Sequence, residues 1–364
     1  MNNWLKLISM NKKFLLKNKY TLVVLAVVVL AVVFFQINKT KNSTGLKNAP
    51  TQLSISGVNE VALKAMEAIP QDNVPTATEK QGLQELPFKV ENGEKVFNLT
   101  AQPVRWNILK DVTVTAWAYN GMVPGPLIRV AEGDKVKILV KNNLSEPTTI
   151  HWHGIQVPNN MDGIPDETQE PIQPGETFTY EFVAKPAGTY WYHSHYDSDK
   201  QISVGLSGAF IIEPKGGLAS KPDIDKVLML NEWRVIDGQT YAAMPATGMD
   251  GNFFTINGKA FPDTETLNVK VGQKVRLRFI GSGQMIHPMH LHGFPFKIVA
   301  TDGNDVPETA QWTKDTISVA PGERYDIEFT PDRPGRWMLH CHIPHHTTNE
   351  HVEPGGLMMI INVI

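Results

Sequence analysis

The strongest constraint on this chain is that most of it is written twice. Glu132–Val140, EGDKVKILV, matches Val271–Phe279, VGQKVRLRF, and QPGETFTYEF from Gln173 matches APGERYDIEF from Ala320. The spacing repeats too. Gly133 stands eighteen residues before His151 and Gly272 eighteen before His290, and the same interval separates Gly175 from His193 and Gly322 from His340. Self-similarity of this kind means one folding unit copied in tandem, here about 94–214 and 226–364, with Lys215–Asp225 as the connection. Within each copy apolar and polar residues alternate, as in Phe178-Thr179-Tyr180-Glu181-Phe182. That is the period of a half-buried strand, and Gly and Pro turns punctuate the runs. The expectation is an all-β chain of two sandwiches, each of about seven or eight strands.

Residues 1–19 carry Lys6, Lys12, Lys13, Lys17 and Lys19 and no acid, so the rest of the chain is more acidic than the formal net charge of −3. A nucleic-acid partner is therefore not expected. Tyr20–Ile37 holds eighteen residues without a charge, enough for a helix to cross a bilayer. It reads as a transmembrane signal-anchor with its basic end inside, which places the remainder outside the cytoplasm, in a periplasm or at a cell surface. Residues 38–93 are polar and Pro-containing and read as a linker or stalk.

All twelve histidines fall in four short clusters: His151 and His153; His193 and His195; His287, His290 and His292; and His340, His342, His345 and His346, trailed by His351. On a strand, residues two apart share a face, so each H-x-H presents two imidazoles side by side. The chain's single cysteine, Cys341, lies between His340 and His342. It cannot form an intramolecular disulfide, and its neighbours point to metal ligation.

These four motifs, in this order, together with YNGMVPGPLIRVAEGD at Tyr119–Asp134, resemble those of the multicopper oxidases, laccase-like proteins built from cupredoxin domains. The resemblance covers roughly residues 94–364. It implies two tandem cupredoxin-like Greek-key β-sandwiches without the middle domain of the common three-domain architecture. It also implies four copper ions per functional unit. His287, Cys341 and His346 match a type 1 site, whereas the equivalent positions of the first copy are Thr148, Ser194 and Asp199. His151 and His290 match type 2 ligands, and His153, His193, His195, His292, His340 and His342 match the type 3 pair. Dioxygen would be the oxidant and a small phenolic compound or metal ion the reductant. A weak axial ligand is expected after the cysteine, but the run HTTNEHVEPGGLMM carries extra residues. Counting selects His351, while matching the glycine selects Leu357 or, with a one-residue slip, Met358, which is preferred. Asp162 matches an acid that the family places near the trinuclear site, and His345 is either a proton relay or a loop histidine. Two-domain members build each cluster from neighbouring subunits, so a homotrimer is expected. A copper nitrite reductase would carry its type 1 set in the first domain, and a non-enzymatic copper carrier would leave the first domain's histidine pairs unexplained.

Overall fold

The computed structural model describes residues 67–364 except 219–220 and 246–247. The segment read as a membrane anchor, 20–37, and the basic segment before it lie outside the described residues. Among the described residues no helix is long and apolar enough to cross a membrane.

The described body is all-β, and its pairing pattern occurs twice. In the first half Glu94–Leu109 runs parallel to Lys135–Asn142, and Gly125–Ala131 runs parallel to Ser207–Glu213. In the second half Ile224–Ile236 runs parallel to Val275–Gly281, and Leu267–Val269 runs parallel to Met358–Val363. The histidine strands follow the same rule. His151–His153 pairs antiparallel with Gly188–His193, and His287–Leu291 pairs antiparallel with Gly335–Cys341. The duplication in sequence is thus a duplication of topology. Each half packs two sheets over its own apolar core, one around Trp152, Tyr180 and Phe210, the other around Phe279, Met289 and Ile327.

Some expectations need correction. Residues 69–91, assigned to the linker, are part of the folded body. Ile69 and Leu86 are buried in the first core, the Leu86 amide donates to the Leu127 carbonyl, and Lys89–Glu91 adds an edge strand to Glu94–Leu109. Sparse apolar residues among polar ones hid this, because two buried side chains and backbone pairing suffice to dock a segment. Ala242 and Met244, from the second half, also enter the first core.

Two further apolar clusters join the halves. In one, Trp106 and Val104 meet Trp233, Val235 and Phe253; in the other, Trp191 and Ile211 meet Val227, Met229 and Ile280. A buried polar lock adds direction. Arg278 makes two hydrogen bonds to Asp225 at 2.7 and 2.8 Å and one to Asp326 at 2.9 Å, and it donates to the Thr189 hydroxyl of the first half at 2.7 Å. Thr189 in turn donates to Asp326. Paired ions in an apolar setting are oriented rather than strongly stabilising, but removing one leaves the other stranded. Arg278→Ala should therefore cost about 3–5 kcal/mol in denaturant unfolding; a loss below about 1 kcal/mol would mean that the network does not hold the halves together.

Candidate metal centre

Strand Gly335–Cys341 organises the candidate site. Its pleat sends Leu339 and Cys341 into the core, both fully buried, and turns His340 to the opposite face. The flanking strands keep step, with Met289 opposite Cys341 and His290 opposite His340. On the core side, His287 Nδ1 and His346 Nδ1 lie 3.1 Å apart, and His346 Nδ1 lies 3.5 Å from Cys341 Sγ. The three donor atoms fall within 4.8 Å of one another, and all three residues are buried. Phe254 stacks on His346, with centroids 4.4 Å apart and planes 24° apart. Burial pushes the Cys341 thiol up to about 12 and His346 down to about 3. Such a pocket disfavours a free thiolate and a free imidazolium alike, and a bound cation would stabilise the thiolate while using the imidazole lone pairs. Two imidazoles and a soft sulfur are the donor set that suits copper.

Eight further histidines form two quartets, one per half. In the first, His151 stands opposite His193 across the strand pair, and His151, His153 and His193 bring ligand atoms within 4.8 Å. His195 packs against both His151 and His193. In the second, His292 Nε2 and His340 Nε2 are 3.0 Å apart, and His290 packs against His292, His340 and His342. The ring orientations are held from behind. Nδ1–H groups donate from His151 to the Asp162 carbonyl, from His193 to Ser194, from His290 to Asp315 and from His340 to Cys341, at 2.8–2.9 Å. Each bond leaves Nε2 free as a ligand atom, the usual outer support of metal-binding histidine. Burial holds His153 and His193 at about 3, with the Arg324 charge assisting at His153. They are therefore neutral, as ligands must be.

Asp162 lies beside this quartet, with one carboxylate oxygen 3.4 Å from His151 Nδ1. His345 is not in either histidine quartet. It donates through Nε2 to the Gly251 carbonyl at 3.3 Å and stacks on His351, centroids 5.1 Å apart. His351 is exposed.

Of the three axial candidates, sheet register favours one. Met358 pairs with His340 and so shares its outer face, whereas Leu357 is fully buried and accepts a hydrogen bond from the Cys341 amide at 2.9 Å. The preference for Met358 is corrected on this ground, since adjacent strand residues face opposite sides. The vestigial site of the first half departs from expectation as well. Thr148 and Ser194 both donate to the Gln201 amide oxygen, at 2.8 and 2.6 Å, while Asp199 is exposed. An α-helical segment, Ser198–Ser203, stands where the other copy has the shorter 3-10 turn Pro344–Thr347, so position counting missed Gln201. Sequence reasoning also missed Trp191, stacked on His193 with centroids 4.2 Å apart, although the aromatic run before HSH was a visible signal.

Among the described residues no hydrogen bond or ring contact links the two quartets, and the first lines a surface pocket with Ser282, Gly283, Gln284, Pro321 and Gly322 of the second half.

Comparison with known proteins agrees with this geometry. Two sequence profiles, both described as multicopper oxidase, match residues 100–217 and 236–355. The chain is 31% identical over 342 residues to copper resistance protein A of Escherichia coli, covering 80% of this chain and 53% of that protein. It is 34% identical over 240 residues to laccase-1 of Cryptococcus neoformans var. grubii, covering 57% of this chain and 37% of the relative. It therefore spans about half or less of the length of these relatives. A crystal structure of a blue copper oxidase from Nitrosomonas europaea superposes with a TM-score of 0.67 at 38% identity, over 74% of this chain and 85% of that one. With matching profiles on both halves and a solved relative at 38% identity covered over 85% of its length, the chain belongs to the multicopper oxidase family, whose cofactor is copper.

Proposed function

We propose that this protein is an oxidase that takes single electrons from a reducing substrate, a phenolic compound or a metal ion, and passes four of them with four protons to dioxygen, giving two waters. The observation that carries this reading is the adjacency of two donor sets on one strand: Cys341 turns into the three-donor pocket while His340 turns outward into a histidine quartet. Copper, when bound, supplies one-electron exchange at the thiolate site and stored electrons for dioxygen at a three-ion cluster.

The residues divide the remaining work. His287, Cys341 and His346 would hold the type 1 ion in a buried pocket. The polypeptide from Cys341 to His340 and His342 gives a covalent route from that pocket to the quartet. His151, His153, His193 and His195 of one half, with His290, His292, His340 and His342 of the other, would hold the cluster. Asp162, whose side chain is 35% exposed and lies 3.4 Å from His151 Nδ1, would pass protons from solvent toward the cluster. Leu357, rather than Met358, would face the axial side of the type 1 site, and an apolar side chain there supplies no fourth donor.

A complete cluster requires both quartets. That no hydrogen bond or ring contact links them among the described residues supports assembly between subunits, with the first half of one subunit facing the second half of the next in a homotrimer. The uncharged stretch 20–37 supports membrane attachment with the copper domains on the extracytoplasmic side. A copper carrier would not need both quartets. A nitrite reductase with its type 1 set in the first domain is disfavoured by the Thr148–Ser194–Gln201 arrangement found there.

Cys341→Ser should abolish the blue absorption and the oxidase activity while three coppers per chain remain, measured by metal analysis and visible spectroscopy. Loss of all copper would show that the two sites are not separable. A mixture of a His151→Ala/His153→Ala variant with a His290→Ala/His292→Ala variant, refolded together, should regain part of the oxygen consumption, because some interfaces then contain two intact halves. No recovery, with a fully active monomer by light scattering, would refute the shared cluster.

A further inference from the structure

One carboxylate in the second half belongs to none of the sites described so far. Glu232 lies on strand Ile224–Ile236, and its side chain has no exposed surface. It pairs across the sheet with Phe254, the residue stacked on His346, so both point toward the type 1 pocket. Its Oε1 accepts a hydrogen bond from the Gln284 amide. Its Oε2 has no hydrogen-bond partner, and neither has His287 Nε2; these two buried atoms lie 3.5 Å apart. A buried carboxylate oxygen and a buried imidazole nitrogen without partners are each costly, and here each is the remedy for the other.

We propose that Glu232 is the positioning residue of His287, accepting its Nε2–H so that Nδ1 presents a lone pair to the pocket shared with Cys341 and His346. This rests on reading His287 as a type 1 ligand. An imidazole coordinated through Nδ1 must carry its proton on Nε2, so its partner there has to be an acceptor. A carboxylate is the acceptor that most increases the donor strength of the ring. Its negative charge, held in a dry site, favours the more positive oxidation state of an ion bound at Nδ1.

The surrounding chain is shaped to hold this carboxylate in place. A Cβ at Gly283 would lie 2.0 Å from Glu232 Oε2, and one at Gly251 would lie 2.8 Å from Glu232 Cβ. Gly283 is absent from the residues with positive φ, so alanine there is not excluded by backbone conformation. Its methyl group would instead push the carboxylate away from His287 without removing it.

The full-length, copper-loaded protein tests this with Glu232→Gln, Glu232→Asp and Gly283→Ala. In Glu232→Gln, type 1 copper should be retained about 10–100-fold less tightly against a chelator. Its blue band and its electron paramagnetic resonance signal should change, and its reduction potential should shift upward. Gly283→Ala should reproduce the affinity loss and spectral change, and Glu232→Asp should fall between Glu232→Gln and wild type. The other three coppers should stay bound in every variant. If Glu232→Gln does not fold, Gly283→Ala decides alone. Folded variants with unaltered affinity, spectrum and potential would overturn the proposal even where thermal stability drops, since a merely structural carboxylate predicts that result. A wild-type protein that binds copper without a blue band would instead remove the type 1 site, and this proposal with it.

Discussion

The two-residue period of strand Gly335–Cys341 is the constraint on which the candidate site depends. Neighbouring residues on a strand must face opposite ways. A cysteine set between two histidines therefore divides a short peptide between two environments. Cys341 goes to the dry side, where Leu339, Leu357 and Met359 pack, and His340 goes to the wetter side with His290. A slip of one residue in register would exchange the faces and destroy both donor sets at once. Register is fixed from both edges, by Met289 opposite Cys341 on one side and Met359 opposite Leu339 on the other.

The first half carries the same device with a different outcome. His151-Trp152-His153 sends Trp152 into a pocket of Tyr180, Phe182, Tyr192 and Phe210, and the two histidines stay half-buried on the opposite face. A fully buried tryptophan anchors a three-residue strand that could not otherwise hold two imidazoles in place. Where the second half puts His287, Cys341 and His346, the first has hydroxyls and an amide that satisfy one another. The paired histidines occur in both halves and the thiol pocket in one. The two halves are then held by apolar clusters around Trp106, Trp233 and Trp191 and by the Arg278 network, so each quartet has a fixed direction in which to face.

Much of this was legible in the sequence, because strand periodicity and the repeat are local signals. The histidine pairs and the duplicated all-β topology could be read from spacing and motif order, and the His287–Cys341–His346 set was what the resemblance to multicopper oxidases implied. What escaped depended on contacts between distant residues. The choice between Leu357 and Met358, both of them candidates from the sequence, needed the register between two strands, since the extra residues after His346 broke the count. Gln201 was hidden because the first half has an α-helical segment, Ser198–Ser203, where the second has the 3-10 turn Pro344–Thr347, and this changes which side chain returns to the site. Glu232 lies fifty-five residues before His287, and a lone acid in a strand pattern carries no sign that its carboxylate meets an imidazole. The segment 69–91 looked like linker because docking needed only Ile69, Leu86 and backbone pairing.

The central claim is that one strand of this chain serves two different copper sites. Copper content of the purified full-length protein, taken together with its electron paramagnetic resonance spectrum, tests that claim most directly. The account predicts four coppers per chain, of which one gives the signal of a thiolate-bound blue site and one that of a type 2 ion, with the remaining pair silent. A single blue copper per chain, or copper bound without any blue site, would contradict it.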